Sequence, residues 1–270
     1  GRYDRAVRVA AGLFRDAGAQ PCHGGCRQGA VLGSLIETVA LTASTNADML
    51  ARAEAGAPEG LWLRAEQQSG GRGRLGRQWL SPVGNLYCST IVRVRADDPP
   101  AHLLAFVAGL AVLDAVLTVL PECGARLKWP NDVHVDGAKL AGILLERRQD
   151  VVVVGIGVNV ALAPEVPGRV VTCLRDQGAM AQVDAAAMLE LLADRFAARL
   201  FEWRASPPAT LLEVWSAAAH KPGEAMIVQR APDDRIDGVF DGLSADGALR
   251  LRLADGRVEI VSAGDVNLVA

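Results

Sequence analysis

A stretch rich in arginine and glycine, residues 70–79, reads GGRGRLGRQW and concentrates positive charge on a backbone with few side chains. Arg72, Arg74 and Arg77 are separated by glycines in this stretch. Guanidinium groups bind phosphate and carboxylate oxygens in pairs, and glycine lets backbone amides approach the same oxygens. The stretch therefore predicts a flexible loop that closes over an anionic ligand, with Trp79 as an aromatic wall at its end.

A second point of chemical interest is Lys128, in the segment KWPND of residues 128–132. Only three of the 28 lysine and arginine residues are lysines, so a compact point charge replaces the chain's usual cation here. Pro130 fixes its own φ angle and restricts the preceding residue to extended geometry, and the Asn-Asp pair after it favours a tight turn. We expect Lys128 to lie at the end of a strand, beside a rigid corner.

Two further segments combine small and polar residues at predicted element ends. Residues 44–46, Ser-Thr-Asn, stand between a strand and a helix. They are typical of a helix N-cap, and they could also face a pocket and hydrogen-bond a small polar ligand. Residues 155–159, GIGVN, end an apolar strand, where Gly155 and Gly157 favour either close packing of a helix or close approach of a flat ligand.

Together these segments suit a pocket for a small ligand with an anionic end beside a nucleotide. The sequence has no Ser/His/Asp order, no paired-carboxylate motif and no Walker lysine, so catalysis would rest on positioning and charge neutralisation. Residues 71–76 spell a dinucleotide-binding fingerprint, but a turn-rich segment follows them where a helix is required. Residues 22–26 could be half of a metal site, yet no second Cys/His pair completes it.

Composition narrows the class of protein. The 270 residues carry a net charge of −3 and half of them are apolar, which indicates a packed globular protein without a broad nucleic-acid-binding face. Five scattered cysteines and no secretory signal predict a cytoplasmic location. The apolar residues 103–120 are interrupted by a charge and suit a buried helix, so no membrane association is expected.

Hydrophobic periodicity predicts an α+β protein in three parts. Residues 1–33 form an N-terminal extension with one amphipathic helix over residues 4–17 and no complete helix-turn-helix. Residues 34–221 alternate strands and helices, which predicts a larger domain built on a sheet. From residue 222 to residue 270, short strands separated by Gly/Asp turns predict a small β-barrel.

The same segments, from Ser44 to Asn159 and in this order and spacing, resemble those of the biotin protein ligases. The resemblance extends from about residue 35 to the C-terminus, and also includes Gln68 and the segment KLAGILLE of residues 139–146. It implies a mixed sheet packed with helices, similar to class II aminoacyl-tRNA synthetases, and a small C-terminal barrel. The N-terminal winged helix-turn-helix of repressor-type members has no counterpart here, so DNA binding is not expected.

The resemblance implies a reaction in two steps. Biotin and Mg-ATP give biotinyl-5′-AMP and pyrophosphate, and a lysine of a biotin carboxyl carrier protein then attacks the mixed anhydride. Lys128 and Arg74 would be the catalytic residues. No metal site made of protein groups alone is expected. Biotin would contact Ser44, Thr45, Asn46, Gln68, Arg72, Gly73, Arg74 and Lys128, and the nucleotide would contact Trp79, Arg77 and Asn159.

Two other functions and one assembly remain open at this point. A ligase for lipoate or octanoate would share the sheet and the lysine but should carry a different glycine-rich loop. A biotin sensor that regulates transcription would need a DNA-reading domain. A homodimer through the sheet edge is possible, because biotin ligases often associate in this way.

Overall fold

The computed structural model describes residues 35–231 and 233–268. The N-terminal extension, residues 1–33, and its predicted helix over residues 4–17 lie outside the described residues. Between them, the two described ranges contain both predicted sheets and the segments that carry the candidate site.

The larger sheet has seven strands in the order β1-β2-β3-β7-β6-β5-β4. The pair β1–β2 is parallel and every other neighbouring pair is antiparallel, which confirms the predicted mixed sheet. Its strands are β1 (Ile36–Thr42), β2 (Trp62–Gln68), β3 (Leu86–Arg93), β4 (Arg126–Lys128), β5 (Asp132–Val135), β6 (Ala138–Arg148) and β7 (Val151–Val158).

Helices cover both faces of this sheet. Because successive side chains of a strand point to opposite faces, the neighbours Trp62 and Leu63 of β2 show which helix lies where. Leu63 packs with Met49 of α1, whereas the Trp62 ring meets Phe196 of α3 with 5.5 Å between ring centroids. The described helices are α1 (Thr45–Glu54), α2 (Leu104–Val119), α3 (Ala185–Ala205) and α4 (Pro208–Ala218).

Helix α2 is the apolar core helix that the sequence predicts. A short 3₁₀ turn, Ala101–Leu103, leads into it, and the combined segment Ala101–Val119 is long and apolar enough to span a membrane by length and composition alone. However, 67% of that apolar window is buried, and α2 packs against α3 and strands β4 to β7. This environment accounts for its apolar composition.

The C-terminal part is a five-stranded antiparallel sheet in the order β11-β10-β9-β8-β12. Glycines with positive φ occupy the turns where the sequence predicts hairpins, at Gly247 (φ 80) and Gly256 (φ 86). Closure of this sheet into a barrel stays a prediction. Its strands are β8 (Ala225–Ala231), β9 (Asp234–Leu243), β10 (Leu249–Arg252), β11 (Val258–Val261) and β12 (Asp265–Leu268).

The turn before β10 joins the two sheets. The indole N–H of Trp129 donates to the carbonyl oxygen of Gly247 at 3.1 Å, and His102 Nε2 lies 2.8 Å from the carbonyl oxygen of Asp246. A Cβ at Gly247 would lie 2.5 Å from the Phe106 ring, so glycine allows this close approach. The domain boundaries at residues 34, 221 and 222 stay predictions, although helix gives way to strand between α4 and β8.

Candidate functional site

Backbone pairing aligns one residue from each of five strands into a row across the larger sheet. Lys128 pairs with Asp132, Asp132 with Gly142, Gly142 with Gly157, and Gly157 with Tyr87. Directly paired residues on neighbouring strands place their side chains on the same face. Four residues of this row, Asp132, Gly142, Gly157 and Tyr87, line one cavity, and Lys128 at the end of the row lies outside it.

The indole of Trp79 lies on the two glycines of this row. A Cβ at Gly157 would lie 2.6 Å from the Trp79 ring, and one at Gly142 would lie 3.0 Å from it. From the sequence alone, the glycines of β7 favour either close approach of a flat ligand or close packing of a helix. In the structure the indole of Trp79 lies against Gly157. The side chain of Asn46 lies against Gly155, where an added Cβ would be 2.1 Å from Asn46 Oδ1.

The arginine-rich stretch differs from the predicted flexible loop, because it folds back on itself as a tight hairpin. The amide of Gly73 donates to the carbonyl oxygen of Arg77 at 2.7 Å, and the amide of Trp79 donates to that of Gly71 at 2.9 Å. Leu75 (φ 57) and Gly76 (φ 71) form its tip in left-handed conformation, the geometry of a two-residue hairpin turn. We call residues 71–79 the arginine hairpin.

The three arginines of the hairpin contact three different parts of the chain. Arg72 Nη2 lies 3.6 Å from Glu146 Oε1 on β6, and Arg74 Nη1 donates to Asn131 Oδ1 at 3.2 Å. Arg77 forms an ion pair with Asp265 on β12, described below. Burial lowers the pKa of Arg74, although the carboxylates of Asp265 and Asp132 counteract this effect.

The Ser-Thr-Asn junction forms a polar network at the start of α1. Ser44 occupies the N-cap position with extended backbone, but its side chain makes no capping hydrogen bond. Gln68 Oε1 accepts from the amide of Thr45 at 2.9 Å and from its hydroxyl at 3.1 Å. Ser89 Oγ lies 2.6 Å from Asn46 Oδ1 and 2.7 Å from Thr45 Oγ1. The side chains of this junction thus bond β2 and β3 at the cavity wall.

Lys139 is a cavity residue that the sequence analysis did not include among its site residues. Its Nζ donates to Asp132 Oδ1 at 2.7 Å and lies 5.3 Å from the centroid of the Trp79 ring. Burial raises the pKa of the Asp132 carboxyl, but Lys139 and His134 outweigh burial and hold this pKa below its usual range. The rarity of lysine in the chain, which drew attention to Lys128, applied equally to Lys139.

Lys128 does not line the same cavity as the arginine hairpin. It lies one strand beyond Asp132, and it lines an adjoining depression with Arg126, His134 and His220. Burial lowers the pKa of Lys128, whereas the Asp132 carboxylate raises it. Asp132, which lines the cavity, pairs with Lys128 on the neighbouring strand, so the charge of Lys128 reaches the edge of the cavity at this residue.

Asn159 lies in a second recess, on the other side of Trp79, together with Lys139, Arg169 and Val171. The side-chain nitrogen Nδ2 of Asn159 donates to the carbonyl oxygen of Thr172 at 3.0 Å. The structure therefore places Asn159 in one recess with Trp79, outside the cavity that contains the arginine hairpin.

The remaining predicted site residues meet in one cavity. They are residues 44–46, Gln68, residues 72–74, Arg77 and Trp79. Asn131, Asp132, Lys139, Arg169 and Asp265 also line this cavity and were not predicted as site residues. Its lining thus contains four arginines and a lysine against two aspartates. Such a lining favours an anionic ligand.

The side chains of the described residues contain no group of three His, Cys, Asp or Glu that could hold a metal ion. The two aspartates in the cavity wall are each paired with a cation, Asp132 with Lys139 and Asp265 with Arg77.

Comparisons with known proteins match both parts of the chain. Residues 39–162 match the biotin/lipoate A/B protein ligase family, and residues 223–269 match the biotin protein ligase C-terminal domain. The biotin--[acetyl-CoA-carboxylase] ligase of Mycobacterium tuberculosis is 40% identical over 237 residues, which cover 86% of this chain and 88% of that protein. The bifunctional ligase/repressor BirA of Escherichia coli is 34% identical, covering 76% of this chain and 65% of BirA.

Solved structures with the same fold include ligand complexes. The biotin protein ligase of Aquifex aeolicus in complex with biotin and ATP has a TM-score of 0.73 and 27% identity, and the match covers 87% of this chain and 98% of that one. The biotin protein ligase of Leishmania major in complex with biotinyl-5-AMP has a TM-score of 0.59 and 28% identity, with 85% and 99% covered.

Proposed function

Because the chain belongs to the biotin protein ligase family, we infer that it is an ATP-dependent ligase that attaches biotin to protein. It activates biotin with ATP to biotinyl-5′-AMP and transfers biotin to a lysine of a carrier protein. The observation that carries this function is the cationic cavity with a polar junction in its wall, on a fold that binds biotin and ATP in a related ligase.

The cavity can perform the first step by bringing two anions together. A carboxylate oxygen of biotin attacks the α-phosphorus of ATP, and the bond from this phosphorus to the bridging oxygen breaks, so that pyrophosphate leaves with its electrons. Arg74, Arg77 and Lys139 surround the space in which both anions must lie. Their charges offset the repulsion between the reactants and stabilise the charge that develops on the phosphoryl oxygens. Mg²⁺ would enter with the phosphates.

The second step needs access for an amine. The deprotonated amine of the acceptor lysine attacks the acyl carbon of the mixed anhydride, AMP leaves, and the nitrogen loses a proton. A carrier domain of a biotin-dependent carboxylase is the acceptor that we propose, since the M. tuberculosis and Paracoccus denitrificans relatives are named as ligases of acetyl-CoA carboxylase.

We propose that the ligands divide between the polar junction and the hairpin. Ser44, Thr45, Asn46 and Gln68 would hold the uncharged end of biotin, because their hydroxyl and amide groups are gathered at one wall. Arg72, Gly73 and Arg74 would face the carboxylate and the α-phosphate. Trp79, Asn159 and Arg77 would hold the nucleotide, supported by the recess that Trp79 and Asn159 share.

Two lysines are candidates for the charge next to the reacting atoms. Lys128 stays a predicted catalytic residue, but its position in the adjoining depression supports an indirect effect through Asp132. Lys139 lines the cavity itself. We therefore propose that Lys139 contacts the reactants and that Lys128 adds to the positive potential from behind Asp132.

Several broader features are proposals of the same kind. We propose a class II aminoacyl-tRNA synthetase-like arrangement of the larger sheet, a closed barrel at the C-terminus, a cytoplasmic location and no binding to DNA or membranes. A homodimer through the free edge of β1 is also a proposal. The likeness to the A. aeolicus enzyme supports the first of these features.

The second candidate is a lipoate-type ligase, because the matched family description includes lipoate ligases. The test is ATP-dependent labelling of a biotin carboxyl carrier protein and of a lipoyl domain by the purified chain, with biotin or lipoate as the acid. We expect labelling of the biotin carrier alone, abolished without ATP. Labelling of the lipoyl domain with lipoate, and none with biotin, would replace the proposed function.

A further inference from the structure

The carboxylate of Asp265 makes a two-point contact with the arginine hairpin. Arg77 Nη2 donates to Oδ1 at 2.7 Å and Arg77 Nη1 lies 2.7 Å from Oδ2. Asp265 begins β12, the strand that pairs with β8 at one edge of the C-terminal sheet. Arg77 and Asp265 are 188 positions apart in the sequence, and this ion pair brings the hairpin and β12 together in space. The Asp265 side chain thus connects the C-terminal sheet with the arginine hairpin of the proposed active site.

Several cations surround this one carboxylate. Arg169 Nη2 lies 4.0 Å from Asp265 Oδ2, and Arg74, Arg169 and Asp265 all line the cavity with Arg77. Burial raises the pKa of Asp265, but Arg77, Arg169 and Arg74 outweigh it and keep the group ionised at neutral pH. The field of Asp265 also reaches Lys128, whose pKa it raises.

A carboxylate held in this way has the coordination that a phosphate group would have. Arginine binds carboxylate and phosphate with the same planar pair of N–H donors, so the two anions compete for one guanidinium. The side chain of Asp265 is 45% exposed, and therefore it can turn away from Arg77 without leaving a buried charge behind.

We propose that Asp265 is an internal anion that holds the arginine hairpin to the C-terminal sheet and that a phosphate of the nucleotide displaces it from Arg77. This inference rests on the proposed function for the identity of the nucleotide. Asp265 sets the affinity for ATP, because each molecule of ATP that binds must replace an existing ion pair. It also keeps the hairpin ordered before the nucleotide arrives.

The first test measures the hairpin without any ligand. Trypsin cleaves after arginine, so mass spectrometry of a brief digestion reports how often the peptide bonds after Arg74 and Arg77 are accessible. We expect Asp265→Asn to raise the rate of these cleavages about three- to tenfold, since one exposed ion pair is lost. Asp234→Asn is the matched control, because Asp234 also pairs with an arginine of the C-terminal sheet, Arg230, at 2.9 Å.

The second test measures ATP binding by calorimetry for the full chain and both variants. We expect Asp265→Asn to bind ATP about three- to tenfold more tightly than wild type, and Asp234→Asn to bind it as wild type does. Unchanged or weaker binding by Asp265→Asn, or cleavage of the hairpin at the wild-type rate, would overturn the inference. A wild-type chain that binds ATP but labels no carrier would instead contradict the proposed function, so the two failures are distinguishable.

Discussion

Trp79 shows how one side chain of the site depends on residues of other strands. Its ring rests on Gly157 and Gly142, its backbone is fixed by the hydrogen bond to Gly71, and Lys139 lies over its ring. Lysine and an aromatic face attract one another when they approach within about 6 Å. The position of the indole is thus determined by the absence of two Cβ atoms and by one cation.

Gly157→Ala tests this dependence. The added methyl group would lie 2.6 Å from the ring, and because the hairpin is on the surface we expect Trp79 to move rather than the sheet to unfold. The KM for ATP in biotin-dependent pyrophosphate exchange should rise about tenfold, while the melting temperature stays within a few degrees. The double variant Gly157→Ala/Trp79→Phe should lose much of this effect. An unchanged KM for ATP in the single variant would show that the contact is unimportant.

At the scale of single elements, the start of helix α3 shows how one side chain satisfies backbone donors that lack a partner. Asp184 precedes the helix with extended backbone, and its Oδ1 accepts from the amides of Ala186 and Ala187, both at 2.9 Å. These bonds satisfy donors that have no partner within the helix. Asp184 does not line the cavity, so we expect its cap to affect stability and not activity.

Asp184→Ala should lower the free energy of unfolding by about 1 kcal/mol, which urea titration would measure. Asp184→Ser should retain most of the stability because serine also caps. Pyrophosphate exchange should be unaffected in both variants. A loss of exchange activity in Asp184→Ala at full stability would mean that α3 has a role in the site.

Most elements could be predicted from the sequence, and the exceptions have physical reasons. The sequence does not indicate strand β12, because two of its four residues are Asp and Asn, which are uncommon in strands, and because only the folded structure shows its pairing with β8. The arginine hairpin was interpreted as an open loop because Leu75 at its tip is a poor residue for positive φ. Sequence spacing indicated the junction, the arginine-rich stretch and Lys128, but only the structure shows that Lys128 lies outside the cavity, one strand beyond Asp132.

At the scale of the whole molecule, the contact between the two sheets contains a buried histidine. His220 is 5% exposed, its Nε2 accepts from the backbone amide of Trp129 at 3.4 Å, and its ring lies 5.3 Å from that of Phe240 on β9. Burial lowers the pKa of His220 to about 4, against the opposing effect of the Glu224 carboxylate. The neutral ring is therefore part of the folded contact.

The free energy of unfolding should decrease as the pH falls through the range in which His220 binds a proton. The unfolded chain binds a proton at His220 near pH 6.5 and the folded chain only near pH 4, so the stabilisation is complete above about 6.5 and is lost between 6.5 and 4. The loss amounts to roughly 3 kcal/mol. Urea titrations at several pH values from 7.5 to 5 give the free energy of unfolding at each pH. This free energy should fall less steeply with falling pH in His220→Gln than in the wild-type protein. Equal slopes for both proteins would contradict this assignment.

The proposed mechanism requires that the positive charges of the cavity bring two anions together, and Lys139 is one of these charges. Lys139→Met keeps a long side chain over Trp79 but removes the charge. The decisive measurement is biotin-dependent exchange between ATP and pyrophosphate, with biotin binding measured in parallel. We predict that exchange falls at least about a hundredfold, equivalent to about 3 kcal/mol of transition-state stabilisation, while biotin still binds. Exchange at the wild-type rate in a variant that binds biotin would contradict this requirement.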